Sequence, residues 1–233
     1  MRMIFTDEQK KILTRTDHTL LAVDATSEDI RKVCFEGVDF KTASICIPPL
    51  FVDQAIRDTD GRGKICTVIG FPNGYTTTES KVFETKTAVS QGAHEIDMVI
   101  SVGYLKQGDL NAVKKDISAV RAACKGRVLK VIIETCLLSE AEKIQMCKIV
   151  SDVGADFIKT STGFSTGGAT LADVALFKAN LPPDIKIKAS GGIATLEDAE
   201  AFIEAGADRI GSSRIVRLVR QQMMEAQAVT IEV

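Results

Sequence analysis

The alternation of elements along this 233-residue chain predicts an α/β fold, a (β/α)8 TIM barrel with an extra N-terminal helix. Three observations predict it. Eight short stretches rich in Val, Ile and other apolar residues recur, each bounded by turn or polar residues. Helical patterns occupy the gaps between them. Three helix ends carry glycine in one setting, Gln91-Gly92-Ala93, Val153-Gly154-Ala155 and Ala205-Gly206-Ala207, where the glycine turns the chain back into the next strand. These junctions resemble a degenerate repeat of one α/β unit. An open doubly wound sheet is the alternative, but no Gly-x-Gly-x-x-Gly turn accompanies the first strand, where the chain reads LLAVDAT (20–26).

Residues 6–15 precede the first strand and predict a helix over the barrel floor. Strands are expected at 19–23, 43–47, 64–70, 95–100, 128–134, 156–161, 185–190 and 208–211. Helices are expected at 27–36, with an acidic first turn, and at 78–91, behind a Ser/Thr-rich cap with Val82, Thr85 and Val89 on one stripe. Others are expected at 110–124, at 139–153 behind a Ser139/Glu142 capping box, and at 171–179. No linker or low-complexity stretch interrupts this rhythm, so residues 1–233 are expected to form a single domain.

The charge balance is close to even, 29 Lys and Arg against 31 Asp and Glu, which gives no global electrostatic case for nucleic acid or an acidic membrane. Apolar runs such as 128–133 are interrupted by charge and too short to span a bilayer. The first residues show no apolar secretion signal, so a cytoplasmic location is expected. The cysteines at 34, 46, 66, 124, 136 and 147 form no C-x-x-C pair and are expected to be reduced and mostly buried. His18 and His94 share no zinc-like spacing with each other or with cysteine, so no metal site is expected.

Strand alternation sorts the charged residues. Side chains two apart share a face. Asp97 then faces the same way as Glu95 and Val99, Lys130 as Ile132 and Glu134, Lys159 as Phe157 and Ser161, and Lys188 as Lys186 and Ser190. The opposite faces are mostly aliphatic and suit contact with outer helices. Asp97, Lys130, Lys159 and Lys188 are therefore expected to point into the barrel. Lys159 and Lys188 each end a short strand and precede glycine. Burial and mutual repulsion both favour a neutral, nucleophilic amine, which points to Schiff-base chemistry on a carbonyl substrate. The alternative is a buried ion-pair network without chemistry, but three lysines with few acids leave an excess of positive charge that such a network would avoid.

A second signal is an anion cradle. Ser190-Gly191-Gly192 follows the seventh strand and Gly211-Ser212-Ser213 the eighth, the usual phosphate loops of such barrels. Gly163 and Gly167-Gly168 are further donors after the sixth strand. The alternative is that these glycines only make tight turns. Asp17-His18-Thr19 reads either as a site segment or as a capped turn with a surface histidine. Cys46 reads more readily as core than as nucleophile, and the turn Phe71-Pro72-Asn73-Gly74 lies on the expected catalytic rim.

Together these motifs closely resemble the deoxyribose-phosphate aldolase family, class I Schiff-base aldolases. The matching pieces are TDHTLL (16–21), SICIPP (44–49), IGFPNG (69–74), HEIDMVI (94–100), LKVIIET (129–135), FIKTSTGFSTGGAT (157–170), IKASGGI (187–193) and RIGSS (209–213). They span nearly the whole chain, and KTSTGF followed by KASGG is highly specific as a combination. The resemblance implies reversible cleavage of 2-deoxy-D-ribose 5-phosphate to acetaldehyde and D-glyceraldehyde 3-phosphate, in deoxyribonucleotide catabolism. It implies Lys159 as the imine-forming nucleophile, Lys188 as the cation that keeps it neutral, and Asp97 as the acid/base residue. Asp17, Thr19, Cys46 and Lys130 are implied as wall and substrate contacts, and Thr162, Gly163, Gly191, Gly192, Ser212 and Ser213 as the phosphate and substrate set. No metal or organic cofactor is implied; the expected partner is a small phosphosugar, and a homo-oligomer such as a dimer is possible. The chain departs from many relatives at Ala22-Val23-Asp24, where they read Lys-Pro-Asp, at Ala194, where they carry arginine, and at Pro48. It has no tyrosine after Tyr104 to play the part of the tail tyrosine some members use.

Overall fold

A computed structural model describes residue 3 and residues 5–231, with side chains in the last helix described through 226. Eight parallel strands close into a barrel in chain order: β1 Thr16–Thr19, β2 Ser44–Ile47, β3 Ile65–Ile69, β4 Glu95–Val99, β5 Val128–Ile132, β6 Phe157–Lys159, β7 Lys186–Ser190 and β8 Arg209–Ser212. β1 pairs with β8, as in Asp17↔Gly211, and seals the cylinder. The helices are α1 Asp7–Leu13, α2 Ser27–Asp39, α3 Val52–Thr59, α4 Thr78–Ser90, α5 Val102–Lys106, α6 Leu110–Ala123, α7 Glu140–Val153, α8 Leu171–Asn180, α9 Leu196–Glu204 and α10 Ile215–Ile231. The TIM-barrel prediction is borne out.

The expected extra helix is α1. The Thr6 hydroxyl accepts from the Gln9 amide and the Gln9 side chain accepts in return from Thr6, a capping box. Ile12 and Leu13 are buried, and the Gln9 side-chain amide donates to Gln222 of α10 (3.1 Å), so the helix packs against α10 just ahead of β1. The predicted Ser139/Glu142 box opens α7, and Gly154 ends it in the left-handed conformation, φ 70°.

The first strand lies three residues earlier than predicted. The apolar run 20–23 drew the sequence-based assignment, yet the ladder runs through the polar stretch Thr16–Thr19, whose Asp17 pairs in register with Ser44. The barrel interior is itself charged here, so polarity marks an inward position; Val23 is almost fully exposed. The predicted ends of the fifth and sixth strands, 133–134 and 160–161, fall beyond the strands, and Glu134 there turns left-handed, φ 55°. His18 is buried, not on the surface: its ring Nε2 lies 2.9 Å from the Glu36 carboxylate of α2, which also accepts from Arg220 of α10 (3.0 Å). The cysteines are all free, and Cys136 alone among them is exposed.

The main core lies between strands and helices, where Ile96, Met98, Leu129, Val131, Ile133, Ile158 and Ile187 face outward to the helical ring. Inside the barrel a smaller apolar group of Cys46, Cys66 and Val68 packs against Leu21 and Phe71. One buried pair stiffens the support behind the site. Lys81 of α4 donates to Asp116 of α6 (2.6 Å) and to the Val99 carbonyl at the end of β4 (2.9 Å), and the Thr78 hydroxyl donates to the same carboxylate (2.9 Å). Removing one partner strands the other charge in the interior. Lys81→Ala is expected to cost about 3–5 kcal/mol in urea unfolding, while Lys81→Met combined with Asp116→Leu recovers most of that loss; equal losses for the two would contradict this role.

Candidate active site

β4, β5, β6 and β7 each send an ionisable side chain into the barrel, as strand alternation predicts. Asp97 lies at the meeting point. Its Oδ1 accepts from Lys130 (2.7 Å), and its Oδ2 accepts from both Lys159 and Lys188 (2.7 Å each). All four side chains are nearly or fully buried. Burial opposes ionisation of Asp97, but Lys130, Lys159 and Lys188 outweigh it and hold the carboxyl well below its ordinary range.

The expectation of few acids is corrected by the structure. Asp17 accepts from Lys188, and also from Arg209 (2.5 Å) and the Ser44 hydroxyl (2.6 Å). Glu95 lies 2.6 Å from Lys130 and 3.2 Å from Arg209. Among the described residues the buried network thus joins four cations, Lys130, Lys159, Lys188 and Arg209, to three carboxylates, Asp17, Glu95 and Asp97. Burial alone would drive the proton off Lys188, yet Asp17 and Asp97 reverse this and push its ionisation above the ordinary lysine range. Lys130 is held charged in the same way by Asp97, Asp17 and Glu95. Asp17, despite burial, is held strongly anionic by Lys188, Lys130 and Arg209. The lysines do not simply repel one another; carboxylates interleave them.

Lys159 differs from its neighbours in place. It pairs with Asp97 alone among the carboxylates, and it is the lysine of the network that lines the cavity above. That cavity measures about 540 Å³ and opens at the C-terminal ends of the strands. Its walls include Thr19 and Leu20 at the end of β1, Thr162 to Phe164 after β6, Ser190 to Ala194 at and beyond the end of β7, and Gly211 to Arg214 at and beyond the end of β8. The expected substrate-side residues Thr19, Thr162, Gly163, Gly191, Gly192, Ser212 and Ser213 therefore gather on one surface. Asp17, Cys46 and Lys130 are not among its lining residues, and each is fully buried. They stand in or beside the ion network under the cavity.

The loops are shaped by glycine at two tight places. A side chain at Gly211 would put a Cβ 2.2 Å from the Ser190 hydroxyl, and one at Gly168 would put a Cβ 2.4 Å from the Gly191 carbonyl. The Ser190 hydroxyl is buried with no hydrogen-bond partner among the described residues and lies on the cavity wall. Phe164 covers the β6 side and stacks edge-on against Phe71 from the β3 loop, ring centroids 5.3 Å apart.

Sequence reasoning missed three residues. Glu134 accepts from the Thr162 amide (3.2 Å) and hydroxyl (2.5 Å), fixing the β6 loop; read as a strand residue, it gave no sign of this. Arg209 anchors the network from below, and only its place at the start of a short strand hinted at burial. Arg214 lines the cavity beside Ser212 and Ser213 and has no ion-pair partner among the described residues. Its position directly after the Gly-Ser-Ser loop was the available signal.

The donor atoms of Cys46, Cys66 and Asp97, and of Asp17, Cys66 and Glu95, lie within 4.8 Å of one another in each group. The Lys130 ammonium already sits between them, 3.2 Å from the Cys66 sulfur and 2.7 Å from Asp97, and supplies the positive charge at that point.

The family model described as DeoC/LacD family aldolase matches residues 11–215. A curated protein of Clostridioides difficile named deoxyribose-phosphate aldolase is 51% identical over 213 residues, 91% of this chain and 97% of its own length. One of the same name from Streptococcus agalactiae is 50% identical over 218 residues, covering 94% and 98%. The deoxyribose phosphate aldolase of Aeropyrum pernix, described as having a unique tetrameric structure, superposes with a TM-score of 0.86 at 32% identity and covers 92% of each chain. A closed barrel with a buried lysine–carboxylate network under its loops, together with these similarities over almost the whole length, places the chain in the DeoC/LacD aldolase family.

Proposed function

We propose that this protein cleaves 2-deoxy-D-ribose 5-phosphate reversibly to acetaldehyde and D-glyceraldehyde 3-phosphate, with Lys159 as the nucleophile. The observation that carries the reading is the position of Lys159: it alone among the network lysines reaches the cavity, and it is held by one carboxylate while Lys130 and Lys188 are each held by more. The common name of the curated relatives supports the substrate.

The neutral Lys159 amine adds to the C1 aldehyde carbon of the open-chain sugar, and loss of water leaves a protonated imine. That imine withdraws the electron pair as the C2–C3 bond breaks, and the C3 hydroxyl loses its proton to become the aldehyde of the leaving triose phosphate. The enamine left on Lys159 takes a proton at C2, and water then releases acetaldehyde. Asp97, 2.7 Å from the Lys159 nitrogen, is within reach of the protons the amine gives up and regains. Lys188, fixed as a cation by Asp17 and Asp97, opposes a second positive charge beside it. The sugar phosphate is read against Gly191, Gly192, Ser212 and Ser213, before the start of α10, with the unpaired Ser190 hydroxyl nearby. Arg214 supplies positive charge there, between β8 and α10. The reading extends to a cytoplasmic homo-oligomer. Among the described residues no helix is long and apolar enough to cross a membrane.

The test is turnover of 2-deoxyribose 5-phosphate beside other phosphosugars of aldehyde and ketone type. Lys159→Leu should abolish cleavage and Lys188→Leu should remove most of it; substantial activity of the first variant, or preference for a ketose phosphate, would refute the reading. Arg214→Ala should raise KM for the phosphorylated sugar roughly tenfold or more, with kcat nearly unchanged and no effect on unphosphorylated 2-deoxyribose. An equal effect on both sugars would separate Arg214 from phosphate recognition.

A further inference from the structure

Cys46 of β2 and Cys66 of β3 stand side by side inside the barrel. They are register partners on neighbouring parallel strands, so their side chains share one face. Such strands lie about 4.8 Å apart, within the Cα separation of about 4.4 to 6.8 Å that a disulfide spans. The two sulfur atoms and a carboxylate oxygen of Asp97 all lie within 4.8 Å of one another. The Cys66 thiol donates to Asp97 (3.2 Å), and its sulfur accepts from Lys130 (3.2 Å).

Neither cysteine is exposed, but their cover is thin. With Val68 they pack against Leu21 and Phe71. Leu21 belongs at once to this cluster and to the wall of the cavity, and Phe71 stacks on Phe164, another wall residue. A small neutral oxidant in the cavity meets the pair behind these apolar side chains. The pair also differs from the buried cysteines outside the barrel. Burial pushes the Cys34 thiol up to about 12 and the Cys147 thiol to about 11. At Cys46 the adjacent Cys66, helped by Lys188 and Lys159, outweighs burial and holds the thiol below its ordinary range. Cys66 itself is pushed well up by burial, Cys46 and Asp97. A readily ionised thiol beside one that keeps its proton suits an attacking and a resolving cysteine.

We propose that Cys46 and Cys66 are a redox-active dithiol, which a peroxide converts to a disulfide under the cavity and which slows turnover until a thiol reductant restores it. The Cys46 sulfur attacks one oxygen of hydrogen peroxide. The O–O bond breaks, the departing oxygen leaves as water, and Cys46 becomes a sulfenic acid. The Cys66 sulfur attacks the Cys46 sulfur, the S–O bond breaks, and the second oxygen leaves as water with the Cys66 proton. Two thiols are oxidised and one peroxide is reduced to two waters. The product consumes the S–H that Asp97 accepts, and closing the sulfurs to about 2.05 Å shifts atoms packed against that carboxylate. Asp97 holds Lys159 (2.7 Å), so oxidation acts on kcat more than on KM. Formation of the disulfide is independent of the proposed substrate; its effect on turnover rests on that reading.

The experiment is hydrogen peroxide treatment of Cys136→Ser, which lacks the exposed thiol, and of a C136S/C66S double variant. Disulfides are mapped by mass spectrometry, and cleavage of 2-deoxyribose 5-phosphate is read against each protein's own untreated rate. C136S should gain a Cys46–Cys66 disulfide, lose kcat about tenfold or more, and regain it with dithiothreitol. The double variant should form no such bond and show no loss that dithiothreitol reverses. Sulfenic or sulfinic acid at Cys46 without a disulfide, a reversible loss in the double variant, or a disulfide that leaves kcat unchanged would overturn the proposal. If the double variant does not fold, the disulfide map and the recovery of C136S decide. Absence of cleavage by untreated protein defeats the substrate reading alone, because the disulfide map is read without substrate.

Discussion

The Asp97 carboxylate, shared by three lysine side chains inside the barrel, is the interaction on which the rest of the site depends. A single carboxylate in such a place would ordinarily take up a proton, and lysines in such a place would ordinarily lose theirs. Each here holds the other in its charged form. Asp17, Asp97, Lys130 and Lys188 therefore stay charged between ordinary carboxylate and lysine ionisation, about pH 4 to 10. The one asymmetry of the interior is at the top, where Lys159 has the fewest carboxylate neighbours and faces the cavity.

The fold supplies this arrangement at low cost in backbone strain. Parallel strands in register stack Asp97 beside Lys130, and Lys159 beside Lys188, as lateral neighbours. The C-terminal strand ends then deliver Lys159 to the rim, while Asp17, Glu95 and Arg209 stay at depth. Left-handed backbone is concentrated in the loops: Glu134 turns to grip Thr162, and Gly191 and Gly192 curve the β7 loop around the cavity. Helices behind the sheet are tied down by buried pairs such as Lys81–Asp116, so the loops rest on a rigid support.

Much of this was legible in the sequence. Period-two alternation through 95–99, 128–132 and 186–190 identified which charges point inward, because their opposite faces are aliphatic. Paired Gly-Ser segments after the last two strands marked the loops of the cavity wall. What escaped were features that depend on packing between distant strands. The first strand was misplaced because an inward polar stretch, Thr16–Thr19, looks like a loop unless the opposing charges are known. The full burial of Asp17 and Lys130 was not readable, because sequence cannot report depth along a strand. Arg209 and Glu134 went unrecognised because their partners lie far away in sequence, on β1 and β4 and after β6.

The measurement that tests the central claim most directly is borohydride reduction of the protein mixed with 2-deoxyribose 5-phosphate, followed by peptide mapping. The account predicts one reduced adduct, on Lys159, with Lys130 and Lys188 unmodified because carboxylates hold them as cations. An adduct on Lys188 would reverse the two roles, and phosphosugar bound to folded protein with no adduct on any lysine would contradict imine chemistry at this site.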